Sequence, residues 1–454
     1  MERAPTVSEL IDRRSMGRYQ IWTMALCGTV IVLDGFDTQS IGFLAPSMAE
    51  TLGIPIKTFG PIFVAALIGL MISSMLSGPI ADRWGRKWPI VTCTLIFGMF
   101  AMLTARCSTF DQVLACRFLT GLGLGGALSN SVALMSEYAP KRLLAVIVSM
   151  MFCGMPAGAV LATRVSAVML PRWGWQSVFY AGGVLPLTLA LLLIAILPES
   201  VRYLEVSGAD QRKISRILAR ISPELADTTV SRSAHQDERK NAPVVSLFTE
   251  GRAAGTILLW VPFFMNLLML YFVVFWLPAL LRQTGKPLSA GATAIMLFSV
   301  GGIAGSFIEG TFMNRWGAFP VLLTEFLCTT LLIASLAFSN SFPVMMTITF
   351  VLGFVVQGAQ GGLSAVAATF YPTSMRSTGI GWCLGVGRIG SIVGPMLGGV
   401  MLKLDWSPRE ILLAGSIPAL CAAAATFASL RLRTNLPADQ LKSDVIAEQP
   451  VPSS

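Results

Sequence analysis

The sequence predicts an all-α membrane protein: twelve transmembrane helices in two parallel six-helix pseudo-repeats, with both termini in the cytoplasm. Three observations predict it. Hydrophobic residues make up 54% of the 454 and charged residues only 13%, where soluble domains carry roughly 25% charged residues. The apolar residues fall in runs of about 20, the length a helix needs to cross a ~30 Å hydrocarbon core. The chain also matches itself at one constant offset of 232. The composition alone excludes a soluble enzyme and a disordered chain.

In chain order the expected spans are 21–44, 58–80, 89–107, 111–136, 142–168 and 174–197, then 254–281, 289–313, 319–338, 343–368, 375–401 and 408–431. They divide the protein into an N-terminal segment 1–20, a first bundle 21–197, a linker loop 198–252, a second bundle 253–431 and a tail 432–454. Before the first span, Thr6 and Glu9 have the spacing of a capping box, which suits a short interfacial helix. The linker is mixed in charge and holds the only histidine, His235, read here as a solvated loop residue.

A net charge of +9 invites a nucleic-acid reading, but its placement excludes one. Lys and Arg concentrate in the N-terminal segment and the loops of one face. That is the positive-inside pattern, and it puts this face and both termini in the cytoplasm. None of the eight cysteines forms a Cys-x-x-Cys pair, so metal and redox motifs are absent and packing is the expected role. No metal and no cofactor are expected.

At the offset of 232, Pro46 maps to Pro278, Gly69 to Gly301, Gly121 to Gly353, Gly126 to Gly358, and Arg83-Trp84-Gly85 to Arg315-Trp316-Gly317. Six spans is an even number, so both halves enter the membrane in the same sense. Such parallel repeats surround an axis along the membrane normal and place a binding site near midplane between them.

The loop after the second span reads Gly78-x-x-x-Asp82-Arg83-x-Gly85-Arg86-Lys87. It resembles the signature loop of the major facilitator superfamily, Gly-x-x-x-Asp-Arg-x-Gly-Arg-Lys; the second copy is degenerate, with Asn314 in place of the aspartate. Asp82, Arg83 and Arg86 suit a conformational latch whose contacts break when the halves rock; a static topogenic loop is the alternative. Glu137, at the cytoplasmic end of the fourth span, suits either a gate or a salt bridge.

The first span carries Asp34-Gly35-Phe36-Asp37. Carboxylates three residues apart share one helix face, and a polar pair in an apolar span must face the protein interior. Burial and mutual repulsion make them a coupled proton site; a fully ion-paired structural pair is the competing reading. Arg117 in the fourth span and Arg388 in the eleventh are costly inside a membrane, at about 2.5–3.5 kcal/mol each. At ~1.5 Å per residue, Asp34 and Arg388 both fall near midplane, while Asp37 and Arg117 lie roughly 7–9 Å towards the outer side. An Asp37–Arg117 contact and an Asp34–Arg388 depth match are therefore expected. The guanidinium of Arg388 offers a fixed fork for a carboxylate; a structural partner for Glu309 or Asp34 is the alternative. Glu309 and Glu325 are expected to pair with Arg315.

Leu33-Asp34-Gly35-Phe36-Asp37, the signature loop, Pro198-Glu199-Ser200-Val-Arg202-Tyr203-Leu204 and Gly387-Arg388-Ile-Gly390 together resemble the aromatic acid:H⁺ symporter family. The resemblance implies import of benzoate-type acids, such as 4-hydroxybenzoate and protocatechuate, with protons across a bacterial inner membrane. By that resemblance Asp34 and Asp37 would carry function and Arg388 would meet the substrate carboxylate; depth and charge add Arg117 to the proton-coupling group. Phe36, Tyr271, Phe275, Trp276 and Trp382 could stack on an aromatic ring, and Gln357 and Gln360 could bond a ring hydroxyl. The partners expected are the bilayer and a small aromatic carboxylate, with no nucleic acid and a monomeric protein. An exporter of the same fold competes with this reading, weakened because Gly154-Met-Pro156-Ala-Gly158 is only a fragment of the antiporter motif. A non-transporting membrane sensor is a distant third.

Overall fold

The computed structural model describes residues 16–140, 153–206, 244–249, 251–371 and 375–434, with a few single residues between these stretches. The capping box at Thr6, His235 with most of the linker, and most of the C-terminal tail lie outside the described residues. Every long element is a helix: α1 Arg18–Leu52, α2 Gly60–Trp84, α3 Lys87–Thr104, α4 Phe110–Tyr138, α5 Gly154–Ile196, α6 Ala253–Gln283, α7 Leu288–Trp316, α8 Ala318–Phe338, α9 Phe342–Phe370, α10 Arg376–Lys403, α11 Pro408–Gly415 and α12 Ile417–Thr434.

Eleven described segments are long and apolar enough to cross a membrane, where the sequence predicts twelve. The difference lies in α5. Its 43 residues would make a rod of about 65 Å, yet Gly174 (φ 72°, ψ 179°) breaks it within its length. The expected spans 142–168 and 174–197 are thus joined without a non-helical linker, because residues 169–173 continue the helix up to that glycine. The last expected span is likewise broken, at Ser416 between α11 and α12.

Helix packing follows the internal repeat. α1 lies along α5 as α6 lies along α10, and α2 lies along α4 as α7 lies along α9. The contacts themselves obey the offset. Gly121 presses on the backbone carbonyl of Ala66, and its repeat mate Gly353 presses on that of Phe298, the mate of Ala66. A side chain at either glycine would collide with the facing backbone, so the small residue is what lets these helices touch.

The two halves meet through α1 with α6, α2 with α10 and α5 with α7. Gly42 packs against the carbonyl of Val274, its own repeat mate. The Thr163 hydroxyl lies 3.4 Å from the Ala292 carbonyl, and Gly60 approaches Pro395; these two contacts exchange under the offset. All lie towards the face of the turns at Gly53 and Gly285. Towards the opposite face, that of Gly85 and Gly317, a Cβ added at Gly78, Gly381 or Gly385 would meet nothing within 4 Å. Among the described residues, the halves are closed on the first face and parted on the second.

Candidate functional site

In α1 the glycine of Asp34-Gly35-Phe36-Asp37 is a packing residue. Gly35 lies against the backbone of Met155, and Gly158 of α5 lies against the Val32 carbonyl. With that side of α1 pinned to α5, the two acids project elsewhere, and both are only 1% exposed.

Their surroundings differ sharply. Arg117 of α4, itself fully buried, donates from Nη1 and Nη2 to the two oxygens of Asp37 at 3.0 and 2.7 Å. Its guanidinium also lies 5.7 Å from the ring centroid of Phe179. This is the contact expected from depth alone. Asp34 has no such clamp: Thr38, one turn on, donates its hydroxyl to Oδ1 at 3.0 Å, and Oδ2 has no hydrogen-bond partner. Arg388 of α10 is half-buried and acts electrostatically on Asp34 from the other half. Tyr271 of α6, buried, lies near both Arg388 and Asp34. The acid, the cation and the phenol therefore converge at the junction of the halves.

Above this cluster the halves are sealed by aromatics. Phe63 of α2 stacks on Phe275 of α6 with centroids 4.7 Å apart and planes 7° from parallel. Trp276 meets Phe63 edge-on at 5.3 Å and donates its indole N–H to the Pro395 carbonyl at 2.7 Å. Tyr271 lies beneath, tilted 43° to Phe275 at 5.8 Å. Phe275 and Trp276, expected to line a cavity, are packed into this seal. Phe36 does not join them; it packs against Gly182 in the second segment of α5. Trp382 lies towards the parted face, 43% exposed and stacked on Trp260. The Gln360 side chain accepts from Asn266 at 3.0 Å, and Gln357 donates to the Phe298 carbonyl at 3.4 Å. Asn266 is the repeat mate of Asp34, so the second half holds a neutral amide where the first holds the acid.

At the parted face the signature loop is tied into the first half. Gly85 takes φ +83°, and a Cβ there would fall 2.5 Å from the Glu199 carboxylate. That carboxylate accepts from the backbone N–H groups of Arg86 and Lys87 at 2.7 and 3.1 Å, where α3 begins. Arg86 Nε donates to Glu137 at 2.7 Å, and Ser200 also donates to Glu137. Tyr203 donates to the Arg83 carbonyl at 3.1 Å, and Tyr138 donates to that of Glu199 at 2.8 Å. Glu137 is therefore salt-bridged here; the Asp82 side chain lies outside the described residues.

Two expectations about pairing fail. Arg315 does not meet Glu309 or Glu325: its guanidinium lies over the Trp316 ring at 5.6 Å. Sequence reasoning also left Thr38, Phe63 and Glu199 without a role. Thr38 was recoverable as the i+4 neighbour of Asp34, whereas nothing marks Phe63 among the other aromatics of apolar spans.

Residues 27–338 match the model of the Major Facilitator Superfamily. The chain belongs to the major facilitator superfamily. Within it, the chain is closely related to transporters of aromatic acids. It is 38% identical to the 4-hydroxybenzoate transporter PcaK of Pseudomonas aeruginosa over 92% of this chain and 94% of that protein. The gallate transporter of Pseudomonas putida is 36% identical, over 93% and 94% of the two chains. The benzoate transport protein of Acinetobacter baylyi is 33% identical, over 94% and 93%. Among solved structures, a bacterial homolog to the human lysosomal transporter Spinster, inward-facing and unoccupied, superposes with a TM-score of 0.69. Its identity is 16%, and the match covers 97% of this chain and 100% of that one. A D-xylose-proton symporter gives a TM-score of 0.68 at 15% identity over 90% and 97%. At these identities the structural likeness speaks for the superfamily fold alone. Among the described residues no group of three or more His, Cys, Asp or Glu could hold a metal.

Proposed function

We propose that this protein imports aromatic carboxylates of the benzoate and hydroxybenzoate type by proton symport, in the inner membrane of a bacterium. The observation that carries the proposal is the convergence of Asp34, Arg388 and Tyr271 between the halves while Arg117 holds Asp37. The relatives support the substrate class, being named for 4-hydroxybenzoate, gallate and benzoate.

The mechanism follows from charge. A substrate carboxylate is an anion, and Arg388 keeps its charge at any physiological pH and presents a planar fork for two oxygens. Asp34, with one oxygen unpartnered and a single hydroxyl on the other, is the acid free to take and release a proton. Asp37 is neutralised by Arg117 and sets the position of α1 against α4 rather than carrying the proton itself. Proton and anion loaded together cross the low-dielectric path with little net charge. Tyr271, near Arg388, offers a ring face to the substrate. Phe63, Phe275 and Trp276 close one side, and Gln357, Gln360 and Trp382 lie towards the side that is open.

In this reading α5 crosses the membrane twice, once on each side of Gly174, which gives twelve spans as two parallel groups of six. The bundles are 21–197 and 253–431, joined by 198–252, with both termini and the parted Gly85–Gly317 face in the cytoplasm. The protein works as a monomer. Contacts of Arg83, Arg86 and Glu137 hold the signature loop to the first half as the halves rock, and Asp82 is the remaining member of the latch.

The test is uptake of radiolabelled 4-hydroxybenzoate into proteoliposomes with and without an inward proton gradient, competed by unlabelled aromatic acids. Gradient-dependent accumulation is expected. Accumulation driven by a gradient of opposite sense would make the protein an exporter, and binding without flux would make it a sensor.

A further inference from the structure

Outside the junction of the halves, the second half contains a buried acidic pair that the transport reading leaves unused. Glu309 of α7 and Glu325 of α8 are 4% and 6% exposed. Their carboxyl groups face each other beside α9: a Cβ added at Gly358 would lie 3.2 Å from Glu325 Oε1 and 3.3 Å from Glu309 Oε2. Both oxygens of Glu309 and Oε2 of Glu325 lack a hydrogen-bond donor. Around them stand Gly358 and Gly362 of α9, Met313 of α7, and Leu322 and Cys328 of α8. The nearest arginine along the chain, Arg315, lies over Trp316, and among the described residues neither acid is in an ion pair.

The repeat shows that the fold does not need these acids. The positions equivalent to Glu309, Glu325 and Gly358 are Ser77, Cys93 and Gly126. There Gly126 abuts the Cys93 sulfur and the Ser73 hydroxyl, so the same interface closes on neutral groups. Two carboxylates side by side with no cation and no donor cannot both stay ionised in such a place. A proton on one supplies the missing donor and leaves a carboxylic acid bonded to a carboxylate, the arrangement of coupled acid dyads.

We propose that Glu309 and Glu325 hold one proton between them and form a second proton-binding site, in the half that supplies Arg388 and distinct from Asp34. The site requires no substrate, so its test is independent of the transported molecule.

The test treats the full-length protein in lipid vesicles with dicyclohexylcarbodiimide, an apolar reagent that enters from the bilayer. A protonated carboxyl adds across the reagent's C=N bond, its oxygen bonding to carbon and its proton passing to nitrogen; a carboxylate brings no proton. Peptide mass spectrometry is expected to find the adduct on Glu309 or Glu325 at neutral pH, and to find it lost as pH is raised. No adduct on either residue between mildly acidic and neutral pH overturns the proposal. A second readout is the infrared carbonyl band of protonated carboxyls, recorded in Asp34→Asn so that the first half does not contribute. The band is expected to diminish when Glu309→Gln and Glu325→Gln are added together. An unchanged band in the folded triple variant means both acids are ionised, and the proposal falls.

Discussion

Glu50 and Arg282 occupy equivalent positions of the two repeats and pair with each other, Arg282 Nη2 lying 3.2 Å from Glu50 Oε1. Two repeat mates can meet in this way only beside the axis that relates the halves. One helical stretch deeper, Gly42 meets Val274 in the same relationship. The axis therefore runs between α1 and α6, and the first half's Asp34 and the second half's Arg388 and Tyr271 approach each other across it. The ion pair itself is exposed, and pairs of that kind contribute only about 0–1 kcal/mol. Its value is as a marker of the closed face.

If the halves rock against each other so that this face opens in turn, tying the pair together should stop transport. Cross-linking Glu50→Cys with Arg282→Cys is expected to abolish uptake, and reductant should restore it, each measured against the single variants. Full transport by the cross-linked protein would mean that this face does not open during the cycle.

The unequal surroundings of the two acids separate their roles. Asp34→Asn is expected to reduce gradient-driven accumulation at least about tenfold, a loss of about 1.4 kcal/mol or more in coupling. Substrate exchange without a gradient should persist, because Arg388 is untouched. Accumulation at the parent rate would remove Asp34 from coupling.

Removing one partner of the Asp37–Arg117 pair strands a buried charge, which costs about 3–5 kcal/mol. Arg117→Leu should therefore lower the thermal stability of the purified protein far more than Asp34→Asn does. Combining it with Asp37→Asn should recover part of the loss. An unchanged melting temperature in the single variant would argue that the pair contributes little.

Arg388→Lys keeps the charge but loses the two-pronged donor. The apparent affinity for 4-hydroxybenzoate is expected to fall about tenfold, equivalent to ~1.4 kcal/mol, with the proton dependence retained. Competition uptake reads this directly, and unchanged affinity would make Arg388 structural.

Gly85 combines a left-handed backbone with contact to the Glu199 carboxylate. Gly85→Ala should strain the loop by about 1–3 kcal/mol and displace Glu199 from the start of α3. Limited proteolysis in the α2–α3 loop should then quicken; an unaltered cleavage pattern would show that the loop tolerates the side chain.

The sequence by itself determined what rests on one-dimensional physics. Hydrocarbon thickness translates into run length, so the helical spans were legible from apolar stretches. The repeat was legible because duplicated halves keep glycines where backbones touch. Even the Asp37–Arg117 pair could be placed, since helical rise converts residue number into depth and an unpaired charge at that depth is untenable. Depth says nothing of rotation about a helix or of which neighbour a face meets, and there only the tertiary structure decided. It turned Phe36 into the bundle interior, against Gly182. It set Phe275 and Trp276 into the aromatic seal through Phe63, and it left Arg315 over Trp316 and Glu309 facing Glu325. It also joined the fifth and sixth expected spans through a single break at Gly174, because a stretch that stays helical between two crossings leaves no polar gap to read. The packing of Phe36 on Gly182 and of Phe63 on Phe275 and Trp276 joins residues far apart in the chain, and such contacts exist only once the helices have packed.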